Sequence, residues 1–149
     1  MAEMPQELRE LISKVPVCYL ATVSPDGIPD VAPLMTAVVV DAGTVAVAVT
    51  AHGKSATNLR RNPHAALVVH TEPPARADAS LASISQVMGA QIKGTATVHT
   101  SGEAYELARR RTLETLGLRA AETFDATVVL KVEEVFSLVP GARREESSH

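Results

Sequence analysis

Between residues 17 and 49 four short apolar runs follow one another with almost nothing between them. Val17-Cys18-Tyr19-Leu20-Ala21-Thr22-Val23 is followed by Ser24-Pro25-Asp26-Gly27, with proline and glycine where a type I turn prefers them. Ile28 to Leu34 returns, Thr36 to Asp41 follows, and Ala42-Gly43 turns the chain into Val45-Ala46-Val47-Ala48-Val49. A parallel crossover needs a dozen or more residues, and none of these connections has them. The segment therefore predicts an antiparallel meander, the beginning of a barrel and not of a β-α-β fold. Pro29 and Pro33 lie within one run, which puts that strand at an edge or a bulge.

The fourth run leads into the most informative stretch, Thr44 to Pro63. The strand breaks at Thr50-Ala51-His52-Gly53 and restarts as a short helix, Ser55 to Arg61, with Ser55 as the expected N-cap and Asn62-Pro63 as the stop. A glycine turn feeding a helix start leaves backbone N–H groups unpaired, an arrangement suited to an anion. Lys54 adds charge, and Thr50, Ser55 and Thr57 add hydroxyls. Two readings stay open at this point: a phosphate anchor, or an ordinary strand–helix corner with a solvated lysine. The spacing is not that of a Walker A loop.

Elsewhere, Leu8, Leu11, Ile12 and Val15 form one stripe of a helix from Pro5 to Lys14, which Pro16 ends. Ala65 to His70 reads as a strand, Glu72 to Ser85 as a long Pro/Ala/Ser-rich loop, and Val87 to His99 as a strand in which Gly89 and Gly94 mark close approach or a bend. Ser101 is the expected cap of a helix from Gly102 to Leu116 stopped by Gly117. Arg109-Arg110-Arg111 on that helix reads as a solvated face, with contact to a phosphate or a partner subunit as the other reading. Strands at Thr127–Val132 and Val135–Leu138 close the sheet, and 143–149 reads as a disordered tail, leaving one domain over 1–142. At 149 residues and 46% apolar content, such a chain buries roughly 70% of its unfolded surface.

The chemistry that is missing narrows the function. The net charge of −3 offers no nucleic-acid footprint, no apolar run reaches the length of a membrane helix, and no signal-peptide pattern appears, so a cytoplasmic protein is expected. One cysteine, Cys18 in an apolar run, reads as a buried structural thiol. Five histidines have no metal spacing, and no Ser-His-Asp set is present. If this chain does chemistry, a bound cofactor carries it.

The order of these pieces resembles a known family. An N-terminal helix, the strand at 17–23, Ser24-Pro25-Asp26-Gly27, Pro29-Asp30-Val31-Ala32-Pro33-Leu34, then G-K-S-x-x-x-N-L-x-x-N-P and Ile92-Lys93-Gly94-Thr95-Ala96 match the FMN-binding split-barrel proteins, the pyridoxamine 5′-phosphate oxidase-like family. The likeness runs from about Pro5 to Leu138 and is strongest to the small FMN-binding members. It implies a mainly β fold with short helices, a six- to seven-stranded antiparallel split β-barrel. It also implies a homodimer holding two FMN, each in a cleft between subunits. By the same resemblance Lys54 and Ser55 match the positions that hold the FMN phosphate, with Thr50, Ala51 and Gly53 beside them; His52 in the same turn reads as a loop histidine, with contact to the flavin or substrate as the other reading. Ala32, Pro33 and Leu34 match the strand along the isoalloxazine ring, and Gln91 is a further candidate. The chain ends without the basic, aromatic motif by which the oxidases hold their substrate's phosphate, and it has Lys54-Ser55 where many relatives have Arg-Lys. What is implied is thus a flavin-dependent oxidoreductase acting on an unidentified small molecule, with the deazaflavin F420 or a non-enzymatic flavin or haem carrier as alternatives.

Overall fold

The computed structural model describes residues 2–71 and 89–138, so the expected loop at 72–85 and tail at 143–149 lie outside the described residues. In chain order it comprises α1 (Gln6–Lys14), β1 (Cys18–Val23), β2 (Pro29–Leu34), β3 (Ala37–Asp41), β4 (Thr44–Val49), α2 (Lys54–Arg61), β5 (His64–His70), β6 (Gly89–His99), α3 (Glu103–Leu116), α4 (Leu118–Thr123) and β7 (Ala126–Ser137). The seven strands form one sheet in the order β2-β1-β5-β6-β7-β4-β3, every neighbouring pair antiparallel. The sheet curls around its core into a half-barrel. As its prolines require, β2 is an edge strand.

Strand alternation decides which side each residue faces. Leu20, Leu67, Ile92, Val69, Val128 and Val132 point to the inner face, where Leu8 and Ile12 of α1 and Ala56 and Leu59 of α2 close over them. Each large aliphatic side chain so buried contributes about 1.5–3 kcal/mol. In β4 every residue is buried. Val45, Val47 and Val49 belong to the inner core, while Ala46 and Ala48 meet Ala108 of α3 on the other side. The strict Val/Ala alternation is thus a two-sided device, with bulk facing the core and small residues where a helix backbone lies close.

Several local expectations are corrected. α2 is capped at Gly53 and α3 at Gly102 (φ +103), with no side-chain cap bond from Ser55 or Ser101. The last two expected strands are one twelve-residue strand. Lys93 pairs with Glu134 and Gly94 with Val132, so Glu133 is the extra residue of a bulge, and the two glutamates that look like a break lie within one strand. A short helix, α4, follows Gly117, whose φ of +94 ends α3 and starts the next turn. The arginine cluster is not simply solvated: Arg109 donates to the Ala121 carbonyl (2.9 Å) and Arg111 to that of Ser13 (2.9 Å), tying α3 to α4 and α1.

At the β3–β4 turn the Gly43 N–H donates to Asp41 (2.9 Å). That bond, then the Thr44 hydroxyl and the charge of Lys131, hold the Asp41 carboxyl below its ordinary value. Its contribution is present above the unfolded value and is lost as the pH falls through the lower folded one. Cys18 is buried as expected, and burial pushes its thiol up to about 12. Native protein at pH 8 is therefore expected to react negligibly with a disulfide reagent, and unfolded protein completely. Because the unfolded thiol ionises first, stability should also fall as pH rises from about 9 toward 12. Fast labelling of the native thiol would contradict this.

Candidate functional site

The expected anchor exists as a compact corner. β4 ends at Val49, the chain turns through Thr50–Gly53, and α2 starts at Lys54. The Gly53 N–H donates to the Thr50 carbonyl (3.1 Å), and the Thr57 N–H donates to the Gly53 carbonyl (3.0 Å) as the first helical bond. A Cβ at Gly53 would lie 2.4 Å from Thr50 Oγ1. A Cβ at that position would have to push the Thr50 hydroxyl aside. Lys54 and His52 are exposed and Ser55 is half-buried. The Lys54 ammonium has no hydrogen bond or ion pair among the described residues. No side chain caps α2, so its first-turn amides are available for an acceptor.

Not every amide of the corner is open. Ala51 is buried and its peptide is held at both ends: its N–H donates to Asp125 Oδ1 (2.8 Å), and its carbonyl accepts from Arg60 Nη1 (2.7 Å). Two of the expected free donors, Ala51 and Gly53, are thus satisfied within the chain, and the positive end of α2 with Lys54, Ser55 and Thr50 remains. Those groups fit a phosphate, as a close-approach glycine, an uncapped helix start and an unpaired cation would.

Asn58 fixes the helix above the sheet. It is 1% exposed, and its Nδ2 donates both to Thr22 Oγ1 on β1 (3.0 Å) and to Asp30 Oδ2 on β2 (2.7 Å), while its Oδ1 is buried with no partner.

The other candidates fall on the sheet. Ala32 and Leu34 share rows with buried Leu20 and Cys18 and turn toward the inner side. Pro33 faces the other way, in a row that runs Pro33–Tyr19–Val68–Gln91–Phe136 across five strands. Pro33 and Gln91 therefore share a face, three strand spacings or about 14 Å apart. The structure brings Thr50, Ala51, His52, Gly53, Lys54 and Ser55 together and sets Pro33 and Gln91 on a separate surface. Through Asn58, α2 is tied to Thr22 and Asp30 on the inner side of β1 and β2.

That surface holds residues the sequence did not single out. Tyr19 stacks on His70 (centroids 6.0 Å apart, 3° between planes), and Lys93 lies over the Phe136 ring (5.4 Å). Two of the chain's four Tyr and Phe share this row, which the strand order and register reveal and the sequence alone does not. α3 covers the outer side of β3 and β4, whereas no described helix covers the outer side of β2, β1, β5 and β6. Val31 (67%) and Tyr19 (37%) stand exposed there, with Ile28 (59%) just before β2. A cavity of about 450 Å³ opens elsewhere, between α1 and the far ends of β5, β6 and β7. None of the candidate residues lines it, and among the described residues its wall carries Glu7 and Glu10 against the one cation Lys14.

The sequence profile of the pyridoxamine 5′-phosphate oxidase family matches residues 4–138. Comparison with curated proteins returns no match. Among solved structures the chain resembles HupZ of Group A Streptococcus, with 23% identity, 95% of this chain and 99% of that one covered, and a TM-score of 0.72. It also resembles an FMN-binding protein of Syntrophomonas wolfei (16% identity, 89% and 84% covered, TM-score 0.72). A third is HutZ, the heme storage protein of Vibrio cholerae (18% identity, 90% and 94% covered, TM-score 0.66). At these identities the superpositions speak for the fold. No described helix is long and apolar enough to cross a membrane. With its curled seven-stranded antiparallel sheet and a profile match over nearly its whole length, the chain belongs to the pyridoxamine 5′-phosphate oxidase-like, FMN-binding split-barrel family.

Proposed function

We propose that this protein binds FMN at the β4–α2 corner as a homodimer and serves as a flavin-dependent oxidoreductase for a small acceptor. The observation that carries the reading is the uncapped start of α2 beside an unpaired Lys54. Lys54 supplies charge to the phosphate, the Ser55 and Thr50 hydroxyls donate, and Gly53 keeps the approach clear. FMN held there would supply hydride transfer at its ring. The chain's own part is placement: the sole cysteine is buried and its thiol pushed up to about 12, and no described His/Cys/Asp/Glu cluster could hold a metal. Pro33, Tyr19, Val68 and Gln91 offer a half-apolar wall, and a second copy over the same uncovered face would exclude water from it.

F420 carries a long acidic tail and would want a basic track beyond Lys54. Arg60 is committed to the Ala51 carbonyl, which leaves Arg61 alone for that role and favours FMN. A visible spectrum of untreated protein, with mass identification of the released ligand, tests the reading: flavin bands are expected, and a deazaflavin or Soret band would overturn it. Lys54→Ala is expected to weaken FMN binding at least about tenfold, or about 1.4 kcal/mol. Unchanged affinity by fluorescence titration would remove Lys54 from the site. Sedimentation should give a dimer, and a monomer that binds FMN tightly would refute the shared cleft.

A further inference from the structure

We propose that Asp125 and Arg60 are positioning residues that set the phosphate corner by clamping the Ala51 peptide from its two sides; this rests on the FMN reading above. Ala51 is the second residue of the turn, between the Thr50 hydroxyl and the Gly53 helix start. Its N–H and its carbonyl each end on a charged side chain, at 2.8 and 2.7 Å. Asp125 comes from the connection between α4 and β7, 74 residues away in sequence. Arg60 belongs to the last turn of α2 and reaches back to the residue two before that helix's N-cap.

The second of these is unusual on electrostatic grounds. An arginine in a last helical turn is favourably placed where it stands, beside the negative end of the dipole. Here its head instead reaches the carbonyl of Ala51, ahead of the N-cap and so toward the positive end. Arg60 thus reaches the turn that leads into the helix start carrying Lys54, and among the described residues Asp125 is the carboxylate in hydrogen-bond contact with this turn. The arrangement has a surplus of positive charge, which an incoming phosphate would neutralise. The role of Asp125 in it is as an acceptor: its charge is of the wrong sign for the ligand, and its geometry is what the turn uses.

Charge and geometry can therefore be separated by substitution. FMN and riboflavin differ only in the phosphate, so the ratio of their affinities reads the corner and cancels effects on ring binding or on global stability. Asp125→Ala removes the acceptor and is expected to lower the FMN-to-riboflavin preference about five- to tenfold, as loss of one charge-assisted bond at a site would. Asp125→Asn keeps an acceptor oxygen without the charge and should hold the wild-type preference or exceed it. Arg60→Ala should lower the preference as Asp125→Ala does. Hydrogen exchange of the Ala51 amide, read in the full chain without ligand, should speed up in Asp125→Ala and stay slow in Asp125→Asn.

An Asp125→Ala protein with the wild-type preference overturns the proposal, as does an Asp125→Asn protein no better than Asp125→Ala. Lys54→Ala in the same titration distinguishes the two levels. If it lowers the preference and Asp125→Ala does not, the clamp fails while the corner stands. If wild type shows no preference for FMN over riboflavin, the corner reading fails and takes the clamp with it.

Discussion

Replacing Gly94 by alanine is expected to destabilise this protein by about 3 kcal/mol, a large share of the total stability of a domain, which is of the order of 5–15 kcal/mol. Gly94 lies in β6 at the bulge, where the register with β7 shifts between Lys93 and Gly94. A Cβ there would stand 1.9 Å from the Lys131 carbonyl oxygen and 2.9 Å from its carbon. Those are backbone atoms of the neighbouring strand, so no rotamer change relieves the clash; the ladder itself has to part. β6 and β7 sit in the middle of the sheet, with β5 on one side and β4 on the other, so parting them loosens both halves of the barrel. Gly27→Ala is the informative control. Gly27 has φ +80 with nothing within 4 Å, so its substitution meets only the left-handed backbone penalty, about 1 kcal/mol. Urea unfolding of both variants reads the difference. A Gly94→Ala protein as stable as Gly27→Ala would mean that the two strands do not approach as closely as described.

How much of this was readable from the chain depends on how local the cause is. The Val/Ala alternation of β4, the two prolines of β2 and the apolar stripe of α1 each act within a few residues, and the sheet edge and core followed from them. Gly94 was recognisable as a place of close approach, but its counterpart, the Lys131 carbonyl, lies on another strand, in a register that only the bulge defines. The same bulge explains why Glu133-Glu134 reads as a strand end: the pattern assumes period two, and one extra residue breaks the period without breaking the strand. The corner shows the same division. Gly53-Lys54-Ser55 announced a helix start, and the family resemblance gave it an anion. Nothing near Ala51 announces Asp125, and the side chain that makes the turn specific arrives from the far end of the chain. Glycine caps at 53 and 102 displaced the two serine caps because in both places the backbone conformation, extended at one and left-handed at the other, sets the helix start ahead of any side-chain oxygen.

Asn58→Asp should be more damaging than Asn58→Ala at neutral pH, and less so in acid. The alanine variant strips the Asn58 amide donor from a fully buried Thr22 hydroxyl and a half-buried Asp30 carboxylate, and leaves a small void; each buried group so orphaned costs about 1–3 kcal/mol, for a total of about 3 kcal/mol or more. The aspartate variant keeps the volume but turns the donor into an acceptor, opposite a carboxylate that now stands 2.7 Å from Nδ2. Two carboxylates at that distance in a buried site cannot both ionise, so one must hold a proton in the folded state. The folded pair then binds a proton that the unfolded chain releases near pH 4, and folding is penalised progressively as the pH rises above that value. Stability against pH should accordingly rise toward acid for Asn58→Asp and show no such slope for Asn58→Ala. Because α2 carries Lys54 and Ser55 at its start, the same variant should lose FMN affinity in step with its stability and recover part of both as the pH is lowered toward 5. A flat profile for Asn58→Asp would place the amide elsewhere than between Thr22 and Asp30, and with it the helix that presents the corner.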